Sequence, residues 1–162
     1  MQAFLEEKYI DPTKIEEKIV SLRKEGKTIA TLNGSFDLLH AGHLYILYQA
    51  SLQADCLIVA LNSDRSIQEY KGKNRPIVTL QHRLEMMAAI GFVDFVTFFD
   101  ELDPRALLAK ICPDVHINGA EYGSDCIEKE VVLQKGGRLH LVSRIPSLST
   151  TEIVEKIRQV LA

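Results

Sequence analysis

Residues 33–43, with the sequence Asn-Gly-Ser-Phe-Asp-Leu-Leu-His-Ala-Gly-His, carry the side chains best suited to chemistry in this chain. His40 and His43 lie three positions apart, so within a helical turn both imidazole rings point to the same side. Ring N–H groups at a helix N-terminus suit phosphate oxygens, and each charge-assisted hydrogen bond contributes about 1.5–3 kcal/mol. Gly34 permits a tight exit from a strand, and Gly42 lets the backbone approach a ligand closely. The segment therefore predicts a phosphate-binding site.

Two other interpretations of the histidine pair compete with this one. The rings could be ordinary core or surface side chains, or they could ligate zinc. The chain has no H-E-x-x-H sequence and no Cys-x-x-Cys pair to accompany them, so no protein-held metal is expected. The widely spaced Cys56, Cys112 and Cys126 are expected to be free thiols in a reducing cytoplasm.

The elements that must position this segment follow from an alternation of short apolar runs and amphipathic stretches. Strands are expected at 28–32, 56–61, 93–98, 115–117 and 139–142, and helices at 12–25, 43–53, 79–90, 104–111 and 127–135. A final helix, capped by Ser149 or Thr150, is expected to run to Leu161. Residues 63–78 are polar and contain Gly72 and Pro76, which predicts a long loop or irregular turn. The expected fold class is α/β: a Rossmann-like, doubly wound, five-stranded parallel sheet with helices on both faces.

Length and composition favour one globular domain over residues 1–162, with 1–26 as an N-terminal helical extension. The helix within that extension is expected either to cover the sheet or to pair with a partner. A net charge of -3 gives no reason to expect binding to nucleic acid or to an anionic membrane surface. The sequence has neither a signal-peptide pattern nor an apolar run of membrane-spanning length, so no membrane insertion and a cytoplasmic location are expected.

Residues 34–43 resemble the G-x-F-D-x-x-H-x-G-H signature of the cytidylyltransferase-like nucleotidyltransferases. Residues 148–151, Leu-Ser-Thr-Thr, resemble the I-S-T-T element of the same superfamily. The resemblance covers nearly the whole chain from about residue 27, and within the superfamily the chain is most similar to the adenylyltransferase domain of ADP-heptose synthase. The stretches that carry this closer similarity are Lys71–Pro76, Gln81–Arg83, Val93–Val96, Cys112–Val115 and Gly136–Gly137.

Two departures from the family pattern leave the base and the acceptor open. Residues 118–122 read Asn-Gly-Ala-Glu-Tyr where that family usually has a Lys-Gly-Gly-Asp-Tyr-like stretch. Arg144 is similar to an arginine of the glycerol-3-phosphate cytidylyltransferases. The resemblance implies transfer of AMP from ATP to a heptose 1-phosphate, and the alternative is transfer of CMP from CTP to glycerol 3-phosphate or a similar alcohol phosphate.

The implied reaction is attack by a phosphate oxygen of the acceptor on the α-phosphorus of the nucleotide, with release of pyrophosphate. Positioning and charge neutralisation account for most of such catalysis, so cationic and hydrogen-bonding side chains matter more than a nucleophile. Mg²⁺ is expected to accompany the triphosphate. Partners beyond the substrates are a possible homodimer and a separate sugar kinase. A nucleotide-binding module without catalysis is the competing class.

The resemblance also implies roles for individual residues. The expected catalytic residues are His40, His43 and Lys71. The residues expected to bind the nucleotide are Gly34, Ser35, Phe36, Gly42, Asn118, Gly119, Tyr122, Ser149 and Thr150. The residues expected to bind substrate phosphates are Lys73, Arg83 and Arg144. The two arginines are expected at the acceptor phosphate, with a surface ion pair as the alternative for either. Asp37 is expected either to cap a loop or to contact a ligand, and His82, His116 and His140 are interpreted as structural.

Overall fold

The centre of the fold is a five-stranded sheet in which every neighbouring pair of strands is parallel. The computed structural model describes residues 2–143 and 149–161. Across the sheet the strands run in the order β3-β2-β1-β4-β5. Their bounds are Ile29–Gly34 for β1, Cys56–Asn62 for β2, Phe95–Phe99 for β3, Val115–Gly119 for β4 and Arg138–Val142 for β5. All five strands were predicted from the sequence, with bounds that differ by at most about two residues.

Helices cover both faces of this sheet. Their bounds are Gln2–Lys8 for α1, Ile15–Lys24 for α2, Ala41–Ser51 for α3, Asp64–Lys71 for α4, Leu80–Ala88 for α5, Arg105–Ile111 for α6, Lys129–Gln134 for α7 and Thr150–Leu161 for α8. Strand residues that alternate along the chain point to opposite faces, so β1 contributes Ala30 and Leu32 to the core beneath α3 and α5. Ile29 belongs to the other core, which α2 and α6 cover. The predicted doubly wound α/β fold is confirmed.

The prediction of a long loop at residues 63–78 is wrong, because α4 occupies its first half. Ser63 caps this helix by accepting a hydrogen bond from the Ser66 backbone N–H at 3.1 Å. Ile67 is fully buried and fixes the helix against the sheet. Gly72 ends the helix with a φ of 90°, a conformation that favours glycine. The polar composition of residues 63–78 gave no indication that Ile67 would be buried or that Ser63 would cap a helix.

The N-terminal residues form two helices that pack onto the sheet, one on each face. The first, α1, was not predicted; Leu5 and Tyr9 at its C-terminal end pack against the core beneath α5. The Ile10 backbone N–H then donates to the Val96 carbonyl of β3 at 2.9 Å. The second, α2, buries Ile15 against the opposite core. Of the two alternatives for the helix at 12–25, covering the sheet is therefore the one observed.

The strand order changes direction between β1 and β4. The chain moves outward from β1 through β2 to β3, and then returns to place β4 on the other side of β1. In open α/β sheets the loops that leave two such strands diverge to opposite faces, which opens a crevice at the carboxyl ends of the strands. The predicted pair His40 and His43 follows β1, and the predicted Asn118 and Gly119 end β4.

Candidate active site

A cavity of about 400 Å³ opens at the carboxyl ends of β1, β4 and β5. It is lined by twelve of the fifteen residues predicted to form the site, drawn from four separate stretches of chain. These are Gly34, Ser35, Phe36, His40, Gly42, His43, Lys71, Asn118, Gly119, Tyr122, Ser149 and Thr150. The structure therefore brings these residues together, and their individual roles remain predictions.

The two histidines lie at the beginning of α3. His40 is the N-cap residue, and His43 lies in the first turn. Their rings stack with centroids 3.8 Å apart and an interplanar angle of 24°, as the three-residue spacing predicts. The Nδ1 atom of each ring is buried. The pair forms a compact donor surface at a helix N-terminus.

His43 is held in its neutral form. Burial, together with repulsion of a positive charge by the nearby His40 and Lys71, lowers the pKa of His43 to about 4. A neutral imidazole still donates one N–H, so the ring can bind an anion without first taking up a proton. An approaching phosphate supplies the negative charge that this environment lacks, and so favours protonation of the ring.

The loop from β1 to α3 needs an unusual backbone conformation. Phe36 has a φ of 46°, in the left-handed region that non-glycine residues rarely adopt, and its side chain is buried. Its ring meets His43 edge-on at a centroid distance of 5.2 Å. A Cβ on Gly34 would lie 3.1 Å from the Phe36 ring, so the glycine makes room for it. The Phe36 ring thus packs against the His43 imidazole.

Lys71 is the last residue of α4, and its side chain lines the cavity. It was predicted on a loop, and its position at a helix end corrects that part of the prediction. Its ammonium group donates to the Ser35 hydroxyl at 2.9 Å. Loss of solvent around the group lowers the pKa of Lys71, and Arg75 adds repulsion. The side chain therefore brings a cation to the β1–α3 loop, where a phosphate would complete its hydrogen bonds.

The beginning of α8 forms the third side of the cavity. The Ser149 hydroxyl accepts from the Glu152 backbone N–H at 3.1 Å and donates to the Glu152 carboxylate at 2.6 Å. The Ser149 hydroxyl therefore caps the first turn of the helix. Thr150 and Thr151 line the cavity beside it. Because a helix N-terminus presents unpaired backbone N–H groups and a partial positive charge, it favours an anion at this position.

The residues after β4 form the remaining wall. Asn118 accepts a hydrogen bond from the Gly119 backbone N–H at 3.0 Å, which turns the chain out of the strand. Tyr122 lies in a 3-10 turn and is 67% exposed, so its ring is available to a ligand. The side chain of Glu121 folds back over Gly119, where a Cβ would collide with its carboxylate. This wall carries neutral and acidic groups, unlike the histidine side.

Two of the three residues predicted to bind substrate phosphates do not line the cavity. Arg83 is fully buried, and its guanidinium donates to the Ser35 and Val78 carbonyls and to the Asp64 carboxylate at 2.6, 3.0 and 2.8 Å. With these donors engaged, it is a buried anchor rather than a phosphate ligand, and the prediction is corrected. Lys73 is exposed on the loop after α4, outside the cavity. Arg144 lies outside the described residues.

Asp37 caps a loop, which is one of its two predicted roles. Its side chain is 1% exposed and accepts from the backbone N–H groups of Ile77 and Val78 at 2.7 and 2.9 Å. Arg75 completes the arrangement with an ion pair at 2.6 Å. These bonds tie the loop after α4 to the β1–α3 loop, and so fix the distance between Lys71 and the histidines.

The histidines interpreted as structural are used in different ways. His116 is fully buried in β4 and shares a hydrogen bond of 2.8 Å with Thr31 of β1, and burial lowers its pKa to about 4. His82 pairs with the Thr79 hydroxyl at the exposed beginning of α5. Neither lies at the cavity. Their positions agree with a structural role.

Sequence reasoning missed several lining residues. Tyr45 and Ile46 lie in α3 directly after His43, and helical periodicity could have placed them beside it. Glu121 lies within residues 118–122, directly after β4, but no role was predicted for it. Ser143 and Thr151 follow β5 and begin α8, where the rule that ligands meet carboxyl strand ends would have included them.

The described residues contain neither a cluster of metal-ligating side chains nor a helix that could span a membrane. Over residues 2–143 and 149–161, no group of three or more His, Cys, Asp or Glu side chains could hold a metal ion. In the same ranges, no helix combines the length and the apolar character needed to cross a bilayer.

Solved structures share this architecture. A lipopolysaccharide core biosynthesis protein from Thermoplasma volcanium is 26% identical, with a TM-score of 0.59, and the match covers 74% of this chain and 98% of that one. A pantoate-beta-alanine ligase from Francisella tularensis is 17% identical, with a TM-score of 0.60 over 95% of this chain and 78% of the ligase. The second likeness shows the fold alone.

Curated sequence relatives are more similar. The protein named bifunctional protein HldE from Pseudomonas entomophila is 43% identical over 85% of this chain and 29% of its own length. The HldE protein of Koribacter versatilis is 41% identical over 92% of this chain and 31% of its own length. The chain thus spans less than a third of the length of these relatives. The cytidylyltransferase-like family profile matches residues 31–156, a range that includes every cavity-lining stretch described above, and the chain belongs to the cytidylyltransferase-like family of nucleotidyltransferases.

Proposed function

We propose that this chain is an adenylyltransferase that transfers AMP from ATP to a heptose 1-phosphate and releases pyrophosphate. The observation that carries the proposal is convergence on one cavity: the stacked pair His40 and His43, the ammonium of Lys71 and the N-terminus of α8 all face it. Each is suited to bind phosphate oxygens. Together they fit a polyphosphate better than a single phosphate.

The reaction requires these groups to hold the triphosphate and to stabilise negative charge that develops at the α-phosphorus. His40 and His43 donate ring N–H groups to oxygens of the α-phosphate and the leaving pyrophosphate. Lys71 neutralises charge from the opposite wall, and the α8 N-terminus holds the terminal phosphates through backbone N–H groups. The acceptor phosphate is already ionised at neutral pH, so no general base is needed. Catalysis is positioning and electrostatic stabilisation in a preorganised site.

Mg²⁺ fits this scheme as a companion of the nucleotide. Among the residues known to line the cavity, Glu121 is the one carboxylate, which is too few oxygen ligands for a dedicated magnesium site. When bound, the ion would neutralise triphosphate charge that the protein cations leave uncompensated. The protein's own contribution is to bind and orient the phosphates.

The choice of ATP and a sugar 1-phosphate rests on the similarity to HldE proteins and to a lipopolysaccharide core biosynthesis protein. Because the acceptor is a phosphate ester, a sugar kinase must act before this enzyme in the sequence of reactions. The alternative is a cytidylyltransferase that uses an alcohol phosphate, and no contact in the described residues favours it over the first.

Measurement of pyrophosphate release separates the candidates. The protein is incubated with Mg²⁺ and either ATP or CTP, each combined with heptose 1-phosphate or glycerol 3-phosphate. Release is expected with ATP and heptose 1-phosphate alone. Release with CTP and glycerol 3-phosphate would replace the proposal with its alternative, and nucleotide binding without pyrophosphate release in any combination would indicate a binding module.

A further inference from the structure

Glu128 is a buried carboxylate behind the cavity wall. It is 6% exposed, precedes α7 and is not one of the residues that line the cavity. No lysine, arginine or histidine within the described ranges forms an ion pair with it. Burial of a carboxylate is costly unless hydrogen bonds compensate. Its partners therefore explain its presence.

Those partners are two asparagine amides, one at the end of each central strand. The Asn33 side chain of β1 donates from Nδ2 to Glu128 Oε1 at 3.4 Å. The Asn118 side chain of β4 donates from Nδ2 to Glu128 Oε2 at 3.3 Å. Both asparagines line the cavity. The carboxylate thus bridges the two strands at the point where the sheet order changes direction.

An ionised carboxylate accepts hydrogen bonds and cannot donate them, so it fixes which end of each amide faces it. Both NH₂ groups must turn toward Glu128. The Asn118 carbonyl oxygen is used by the Gly119 backbone N–H at 3.0 Å. The Asn33 carbonyl oxygen then faces away from the carboxylate, and no described residue donates to it. The groups left for a ligand are this oxygen and one N–H of each amide.

These groups suit the neutral end of a nucleotide rather than its phosphates. A buried negative charge behind the amides repels phosphate, whereas the histidines, Lys71 and the α8 N-terminus attract it from the other walls. Base amines and ribose hydroxyls have donors and acceptors that match a fixed amide pattern. The geometry points to Glu128 as a positioning residue that orients Asn33 and Asn118 to bind the nucleoside part of the nucleotide. This inference rests on the proposed function.

The test compares two ligands that share the phosphate chain and differ in the nucleoside. The probes are α,β-methylene ATP and inorganic tripolyphosphate, with dissociation constants measured by calorimetry on the full chain. In Glu128→Gln a single oxygen replaces two, so one asparagine meets an NH₂ group and must turn. Binding of the ATP analogue is expected to weaken about tenfold, or about 1.4 kcal/mol, while tripolyphosphate binds as before.

Two further variants keep the result interpretable. Glu130→Gln changes an exposed carboxylate in the first turn of α7, two residues after Glu128, and should affect neither ligand. Asn33→Ala removes one oriented amide and leaves the bond between Glu128 and Asn118, so it should weaken the analogue alone. This second variant also serves if Glu128→Gln does not fold.

Each outcome decides between the possibilities. Selective weakening of the analogue supports the positioning role. Equal weakening of both ligands, or no weakening of either, overturns it, because a purely structural carboxylate would not distinguish nucleoside from phosphate. If the wild-type protein binds neither ligand, both this inference and the proposed function fail.

Discussion

His43 and Arg83 lie close to the same loop, but only His43 lines the cavity. Both belong to residue types that bind phosphate, and both contact the β1–α3 loop. His43 lies in the cavity wall, where burial and nearby positive charge lower its pKa to about 4. Arg83 is fully buried, and its donors meet three protein acceptors. A cationic residue type near a ligand site is therefore no guide to binding; what matters is whether its donors are already used.

The largest predicted effect is on turnover, and it follows substitution of His43, the residue of this pair that lines the cavity. His43→Ala is expected to lower turnover by about 10²–10³-fold, because it removes a donor that stabilises charge at the reacting phosphate. Steady-state pyrophosphate release measures this, and the thermal unfolding midpoint should stay near the wild-type value. His82→Ala, which removes an exposed histidine outside the cavity, is the matched control. Near-normal turnover in His43→Ala would remove the assignment.

Substitution of Arg83, the buried residue of the pair, should affect stability. Arg83→Met leaves the Ser35 and Val78 carbonyls and the Asp64 carboxylate without their donor, so the free energy of unfolding is expected to fall by about 2–4 kcal/mol. Urea unfolding followed by circular dichroism measures this. Unchanged stability together with a selective rise in KM for the acceptor would restore the phosphate-binding role that the structure argues against.

Lys71 lies between these extremes. Its ammonium already donates to the Ser35 hydroxyl yet remains at the cavity wall. Lys71→Ala is expected to lower kcat/KM for the nucleotide about 10- to 100-fold, which corresponds to loss of one charge-assisted hydrogen bond. Lys73→Ala is the matched control, because that side chain carries the same charge outside the cavity. Equal effects of the two variants would mean that only the general positive potential matters.

The smallest predicted effect is a pKa shift that distinguishes His43 from His116, whose pKa values both lie at about 4. Tripolyphosphate should raise the pKa of His43, because an anion favours the protonated ring, and leave that of His116, which is buried between strands. NMR titration of the ring protons measures both. A shift of neither would place the anion away from the histidines.

The same values fix the direction of pH dependence. In the folded state both rings stay neutral down to about pH 4, whereas in the unfolded chain they take up protons near pH 6.5. Since the unfolded state binds more protons in this window, the free energy of unfolding should fall as the pH drops from 6.5 toward 4. His116→Gln should reduce that slope. A flat stability profile over this range would contradict the burial of both rings.

The sequence was enough to predict the sheet and most of the cavity. Unbroken apolar runs such as Cys56–Leu61 favour buried strands, and the spacing of His40 and His43 predicted that both rings point to the same side. It was not enough for α4, because one buried residue, Ile67, and a serine cap decided the helix against a polar composition. Nor could it separate Arg83 from Lys71: their side chains point in different directions only after the chain folds.

Asn33 and Glu128 show a second limit of sequence reasoning. The two lie 95 positions apart and become neighbours through strand order alone. Asn33 carries no charge, and Glu128 is one of several charged residues at 125–130, so neither stands out in the sequence. A carboxylate that pairs only with amides leaves no recognisable pattern of opposite charges, so no motif could have predicted the bridge.

The position of α8 bears on how the protein acquires activity during synthesis. The last strand ends at Val142, so the ribosome delivers a complete sheet before it delivers Ser149 and the helix that follows. A chain that has released its sheet from the ribosome but not yet Ser149 therefore lacks one wall of the cavity.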